Sequence, residues 1–328
     1  MFDYYQNSFF IKRTVFINDP KISLAIFKVE KTKNKKKVFP YAHTSSGKNK
    51  AVLFGKLHNE FLERFKMVYN YRTNKKNDVI LLHNAKIIPI KRKVLSYGYD
   101  AIYGLKDTTG TASGLGSTAL IEKAICELLE KNELMLMWYK KICRLVKITD
   151  SVDAILLQYG LSANRTKIFY VQNISNIHTV IVFILDDGNN IIGSGISGDK
   201  AVYAALISAI EEALMQKWID ELSERSLYGK DDNKFKNYFD NLCRIEGKNI
   251  DKLKPVTEIK IKSSFNDIEI GLLNLAGFQR EITIKAVSKT LMNCIPSISN
   301  IRKNKNRLIV TCFEIEKELK NAVDCAVI

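Results

Sequence analysis

The chain has 328 residues, 46% of them hydrophobic, which is ample for a sizeable core in one large domain or two modest ones. Its formal net charge of +16 attracts anions in general, whether nucleic acid, nucleotide or acidic peptide. No apolar run is long enough to span a membrane and no secretory signal opens the chain. Six cysteines without a Cys-x-x-Cys pair and four dispersed histidines argue against a disulfide frame or a zinc site, so we expect free thiols in a cytoplasmic protein.

In chain order, Thr14 to Lys31 carries a strand-like pattern, Val15-Phe-Ile17 and Leu24-Ala-Ile-Phe-Lys-Val29, broken at Asn18-Asp-Pro20. The run Lys31-Thr-Lys-Asn-Lys-Lys-Lys37 reads as a solvated loop. It has no interleaved aromatics for base stacking, so nucleic-acid binding is not expected as the main function. Val38 to Ala42 and a turn at Thr44-Ser-Ser-Gly-Lys-Asn49 lead into a helix from Ala51 to about Tyr71. Asp78 to Ile90 is β-rich. A Gly/Thr/Ser turn, Asp107-Thr-Thr-Gly-Thr-Ala-Ser-Gly114, then opens a long helix within Asp107 to Leu145. Strands follow at Ile168–Val171 and Thr179–Ile184, with a hairpin turn at Asp186-Asp-Gly-Asn-Asn190 and a new strand from Ile191. A second long helix runs from Lys200 to about Leu227, and a polar loop from Tyr228 to Lys234. Strands near Glu258–Ile261, Ile282–Val287 and Leu308–Phe313 precede a last helix near Glu314–Val323. This order predicts a mixed α/β fold with long helices packed on sheets.

The helix after Gly114 is unusual. Leu120, Ile121, Ala124, Ile125, Leu128, Leu129, Met135 and Leu136 cover most of its circumference, as in a fully buried helix. Its charges, Lys123, Glu127, Glu130 and Lys131, share one narrow stripe. They either pair with one another or hold a ligand or metal, because isolated buried charges are costly. The preceding Gly/Thr/Ser run can bring N–H groups near an anion at the helix N-terminus.

Two further helices show related stripes. In the first, Arg64 falls inside the apolar arc of Leu53 and Leu57, with Glu60 at its edge and Glu63 beside it. Glu60 and Arg64 read as a helical i,i+4 pair, or Glu60 and Glu63 as carboxylates for Mg2+ with Arg64 on phosphate. In the helix after Lys200, Ala205, Ser208, Ala209, Glu212 and Gln216 form a small-and-polar stripe, suited to plain helix packing or to close approach of a ligand. Three such lines, if they converge, enclose a polar cavity in an apolar core, the usual form of a nucleotide–metal site.

On these residues the chain resembles the YcaO family, in particular the cyclodehydratases that make azoline rings in ribosomal peptides. Gly47-Lys48 precedes Lys56-x-x-x-Glu60-x-x-Glu63-Arg64, similar to a glycine–lysine turn and Ser-x-x-x-Glu-x-x-Glu-Arg. Thr108-Thr-Gly-Thr-Ala-Ser-Gly114 is similar to Ser-Asn-Gly-x-Ala-x-Gly. Glu127-Leu-Leu-Glu130-Lys-Asn132 with Met137-Trp-Tyr139 is similar to Glu-x-x-Glu-Arg-Asp and Trp-Trp-Tyr, and Ala205-Leu206 through Glu212 to a third family helix. The resemblance spans roughly Ser45 to Gln216 and more faintly to about Val287. It implies one YcaO-like domain over 1–328, with a motif-bearing core at about 45–228 completed by about 235–328.

The resemblance also implies ATP and Mg2+ between the helices. Lys56, Arg64, Lys123, Glu127, Lys131, Glu212 and Gln216 would hold the nucleotide, and Glu60, Glu63 and Glu130 the metal. In such enzymes a substrate Cys, Ser or Thr attacks the preceding backbone carbonyl, ATP phosphorylates the oxyanion, and loss of phosphate leaves the azoline. Relatives make thioamides or amidines instead. The implied partners are a precursor peptide and a separate protein that captures its leader, since the matching region starts within the first fifty residues; a homodimer is also allowed. The chain departs from the pattern at Lys56, Leu115, Ala119, Lys123, Lys131 and Ser208, and its C-terminus lacks a proline-rich tail. Lysine point charges do not replace a bidentate arginine fork. The alternative is therefore a degenerate member that binds the peptide or scaffolds the modification complex without ATP.

Overall fold

The computed structural model describes residues 9–12, 23–28, 42–47, 50–70, 76–81, 86–223, 233–273 and 281–327. Strands β1 (Phe9–Lys12), β2 (Ser23–Lys28) and β3 (Ala42–Gly47) form an antiparallel sheet ahead of helix α1 (Lys50–Asn70). The hairpin β4 (Lys76–Leu81) and β5 (Lys86–Lys91) and the ribbon β6 (Gly98–Asp100) and β7 (Gly104–Lys106) lead to β8 (Thr111–Gly114) and the long helix α2 (Ser117–Lys140). Then come β9 (Arg144–Val146), α3 (Asp150–Gln158), β10 (Thr166–Val171), β11 (His178–Leu185), β12 (Ile191–Asp199) and α4 (Val202–Ser223). Helix α5 (Asn233–Leu242), strands β13 (Gly247–Lys248), β14 (Glu269–Leu272) and β15 (Ile282–Val287), and short helices α6 (Ile298–Lys303), α7 (Leu308–Cys312) and α8 (Ile315–Glu318) complete the chain.

Among the described residues, the strands of the body form two five-stranded sheets, ordered β5-β4-β14-β15-β8 and β12-β11-β10-β9-β13. In the second sheet β11 is buried on both faces. Ile181, Phe183 and Leu185 join the core around α2, while Val180, Val182 and Ile184 join the core under α3 and α4. The period of two sends alternate residues to opposite faces, so a strand covered on both sides becomes a continuous apolar run. Helix α4 lies directly on β12: a Cβ on Gly195 would stand 2.2 Å from the Ala209 carbonyl oxygen and 2.5 Å from the Ala213 nitrogen. The small stripe of α4 is therefore a packing surface, and Ser208 within it is exposed.

Helix α2 is apolar on all sides because it sits between the sheets, packed on β8 and β15 of one and on β10, β11 and β12 of the other. Its C-terminal half is locked by aromatics. Trp138 packs on Phe183, Phe235 and Tyr238, its indole N–H donates to Val323 O at 2.9 Å, and the Tyr139 hydroxyl donates to Pro296 O at 2.9 Å. Among the described residues no helix is long and apolar enough to cross a membrane.

Several expectations need correction. Thr44–Gly47 is not a turn but the end of β3, held by pairing to Ser23–Ile26. The Gly/Thr/Ser run does not stay a turn: Thr111–Gly114 is β8, paired with β15 from Ile282 to Lys285. Thr108 to Gly110 keep the turn, closed by Thr111 N–H on Thr108 O at 2.9 Å, and Gly110 has φ of 76° with Ala286 O 2.8 Å from where a Cβ would be. Glu258–Ile261 makes only an isolated bridge, Ser175 to Ile261. Leu308–Cys312 is helical, because Ile309 and Val310 are adjacent and both buried, which one face of a half-exposed strand does not allow. The last helix is only Ile315–Glu318, and Asn233 and Lys234, read as loop, begin α5. The lysine run 31–37, residues 15–20 and 38–41, Lys48 and residues 224–232 lie outside the described residues.

Candidate functional site

The two sheets meet α2 along their edge strands, β8 and β12. An antiparallel edge strand bonds its neighbour through alternate residues and leaves the other N–H groups pointing outward. On β8 the outward donors are Thr111 and Ser113; on β12 they are Ile196 and Gly198. A glutamate meets each one. Ser113 N–H donates to Glu63 Oε1 at 2.8 Å; Thr111 N–H closes a turn onto Thr108 O at 2.9 Å and also reaches Glu127 Oε2 at 3.2 Å. Gly198 N–H donates to Glu130 Oε2 at 2.6 Å, and Ile196 N–H to Glu212 Oε2 at 2.8 Å. At Ser113, Ile196 and Gly198 the carboxylate thus takes the place of the carbonyl that a further strand would offer. Helix α2 supplies one glutamate to each sheet from a single turn, Glu127 to β8 and Glu130 to β12.

Cations are interleaved with these acids. Lys131, 8% exposed, places its ammonium 3.6 Å from Glu130 Oε1, and Lys123 lies 3.9 Å from Glu63 Oε1. Lys285 on β15 is fully buried and donates to Asp107 O at 2.8 Å and to Thr109 O. Burial pushes the Glu63 carboxyl up to about 8, against the pull of Lys123, and Glu130 up to about 8, against Lys131. Burial also raises Glu127 to about 7, opposed by Lys131 and Lys123, and raises Glu212, opposed by Lys131. Burial draws the Lys131 ammonium down, but Glu212, Glu130 and Glu127 together outweigh it and hold it above the ordinary lysine value. Glu63 likewise holds Lys123 above its ordinary value against burial. Lys285 is pushed down to about 8 by burial, opposed by Asp107 and Glu127. Four glutamates and Asp107 thus share the seam with Lys123, Lys131 and Lys285.

The seam unites Glu63, Lys123, Glu127, Glu130, Lys131 and Glu212 from the expected site. Arg64 and Glu60 close on each other at 2.6 Å, one turn of α1 apart. Lys56 is half exposed and pairs with Glu211 at 3.8 Å rather than with Glu212. Gln216 donates to Asp220 at 3.2 Å along its own helix. Sequence reasoning missed Asp107 and Lys285. Asp107 accepts from Thr109 N–H and Ile295 N–H, both at 2.8 Å. The signal for Lys285 was legible, a lone cation inside Ile282-Thr-Ile-Lys-Ala-Val287.

Each acid expected to hold the metal already has partners within the chain. Glu60, Glu63 and Glu130, expected to hold the metal, are tied respectively to Arg64, to the Ser113 N–H with Lys123, and to the Gly198 N–H with Lys131. Among the described residues no group of three or more His, Cys, Asp or Glu is placed to hold a metal ion. The N–H groups of Thr111 and Ser113, which were to face an anion, are given to Glu127 and Glu63. One observation points the other way: the hydroxyls of Thr109 and Thr111 are buried and have no hydrogen-bond partner among the described residues.

No protein-family model matches the sequence, and no curated protein sequence matches it. Solved structures do match. The YcaO from Methanopyrus kandleri bound with AMPPCP and Mg2+ superposes with a TM-score of 0.66 at 11% identity, over 89% of this chain and 87% of that one. A chain of the E. coli microcin synthetase McbBCD complex matches with a TM-score of 0.61 at 13% identity, over 86% and 88%. The same complex with pro-MccB17 bound matches with a TM-score of 0.57 at 15% identity, again over 86% and 88%. The chain therefore has the YcaO fold, a mixed α/β architecture.

Proposed function

We propose that this YcaO-fold chain is a subunit of a cytoplasmic system that modifies backbone amides of a ribosomally made peptide, of the azoline-forming kind, in natural-product or bacteriocin biosynthesis. In that system it binds the precursor peptide or holds the complex together without consuming ATP. The observation that carries this reading is the capping of β8 and β12 by Glu63, Glu127, Glu130 and Glu212, with Lys123 and Lys131 as built-in counter-ions. Each of these carboxylates already spends part of its acceptor capacity on a strand N–H, and Lys123 and Lys131 set positive charge beside Glu63 and Glu130, where a metal would otherwise sit. The peptide class is supported by the fold shared with the McbBCD complex that holds pro-MccB17. A separate leader-binding protein is the partner this reading calls for, and co-elution with such a protein on size exclusion is its check.

The second reading is an ATP- and Mg2+-dependent cyclodehydratase. It is favoured by the unpartnered Thr109 and Thr111 hydroxyls beside Glu127 and by the AMPPCP and Mg2+ in the Methanopyrus neighbour. Calorimetric titration of the chain with Mg2+ and AMPPCP separates the two. We expect no binding, with or without the partner protein. Micromolar binding that is lost in Glu63→Gln would replace the first reading with the second.

A further inference from the structure

We infer that a cationic cleft at the far end of α2 docks an acidic, apolar-spaced segment of the peptide in extended form. This rests on the peptide-binding reading above for the identity of the occupant, and on separate residues for the surface. The cleft is a shallow, largely open depression with a volume of about 660 Å3. Its floor is Ile298, Leu319 and Ala322, and its rim carries Lys234, Arg302, Lys303 and Lys320.

Of the rim cations, Lys234 donates to Ala322 O at 3.4 Å. Arg302, Lys303 and Lys320 are exposed, and among the described residues none of them has an acid partner. Their neighbours are matched: Lys317 lies 2.5 Å from Glu314, and Lys140 lies 2.8 Å from Glu318. The one acid in the lining, Asp324, is used internally, accepting from Ile298 N–H at 2.8 Å and from the Tyr139 hydroxyl at 3.4 Å. Three cations that converge on a concave surface repel one another and gain from an anionic occupant. An apolar floor under a cationic rim suits a chain whose acids alternate with apolar side chains. A phosphate backbone would leave that floor uncovered, and no aromatic lines the cleft to stack a base. The cleft adjoins Tyr139, about 12 Å along α2 from Lys131 at 1.5 Å per residue. It is thus a surface distinct from the glutamate–lysine seam.

The test is fluorescence anisotropy on the full chain, without nucleotide, using a labelled alternating Glu/Leu peptide, a Lys/Leu peptide of equal length and a labelled oligo-dT. We expect the Glu/Leu peptide alone to bind, more weakly as salt rises. The double variant Arg302→Glu with Lys303→Glu should weaken it by about tenfold or more, a change of about 1.4 kcal/mol. Lys252→Glu, an exposed site that does not line the cleft, should leave it unchanged. Arg302→Gln with Lys303→Gln should give an intermediate loss, and thermal melting of each variant confirms folding. Unchanged affinity in the reversed variant, equal binding of the Lys/Leu peptide, tighter binding of oligo-dT, or no binding of the Glu/Leu peptide would each overturn the proposal. None of these outcomes bears on whether the seam takes Mg2+ and AMPPCP, so the two readings fail separately.

Discussion

The seam and the C-terminal cleft use the same chemistry to opposite ends. In the seam, buried acids and lysines neutralise one another and are further fixed by strand N–H groups. In the cleft, Arg302, Lys303 and Lys320 stand exposed without acids. Burial makes the difference. Charges withdrawn from water must find partners within the chain, whereas charges left in water can wait for a partner from outside. Lys123 and Lys131 supply the cations that make the seam self-sufficient.

The largest effect should come from removing the central counter-ion. Lys131→Met leaves Glu130, Glu127 and Glu212 facing one another and should cost about 3–5 kcal/mol in urea unfolding. A loss below about 1 kcal/mol would mean that Lys131 is not the ion that balances the seam.

The pH dependence comes next. The Glu63, Glu127 and Glu130 carboxyls titrate at about 8, 7 and 8 in the folded chain against an ordinary value of 4.5. The folded state therefore holds extra protons in that window. Stability contributed by these groups is full below about pH 4.5 and lost as pH rises towards 8. Lys285 and Lys66, both lowered to about 8 from 10.5, act in the opposite sense above pH 8, but burial raises the Cys126, Cys143, Cys243 and Cys325 thiols to about 12, 12, 11 and 12 and offsets them there. Urea midpoints should fall from pH 5 to pH 8, and Glu63→Gln should flatten that fall. A midpoint that rises steadily from pH 5 to 8 would contradict this.

Lys123 sharpens the comparison, because its side chain is 62% exposed although it lies beside Glu63. Lys123→Met should cost under about 1 kcal/mol, as for other solvent-facing pairs. The smallest effect belongs to the cleft: Arg302→Gln with Lys303→Gln should shift stability by no more than about 0.5 kcal/mol, as measured by thermal melting.

Much of the fold was legible where periodicity was strong. Helices α1, α2 and α4 and strands β10, β11 and β15 coincide with their sequence patterns to within a few residues. Helix α5 was equally readable, since Phe235, Tyr238, Phe239 and Leu242 keep helical spacing, but the loop reading of Tyr228–Lys234 took its first two residues and no element was assigned over 235–242. Strand β8 was not readable, because Thr-Ala-Ser-Gly carries a turn composition and becomes a strand only through β15, whose partner residues lie about 170 positions further on. At the site, the charged stripes were visible on all three helices. Their targets were not, because the N–H groups of β8 and β12 are made available by sheet order, which no local pattern records.

One turn of α2 grips both sheet edges, and this bears on the company the molecule keeps. An outward-facing row of N–H groups is a template on which another chain can add a strand, the first step toward ordered aggregation. Glu63 and Glu127 on one edge, with Glu130 and Glu212 on the other, occupy the donors such a strand would need. Whatever else these acids once held or still hold, they keep two unfinished sheets from being completed by a stranger.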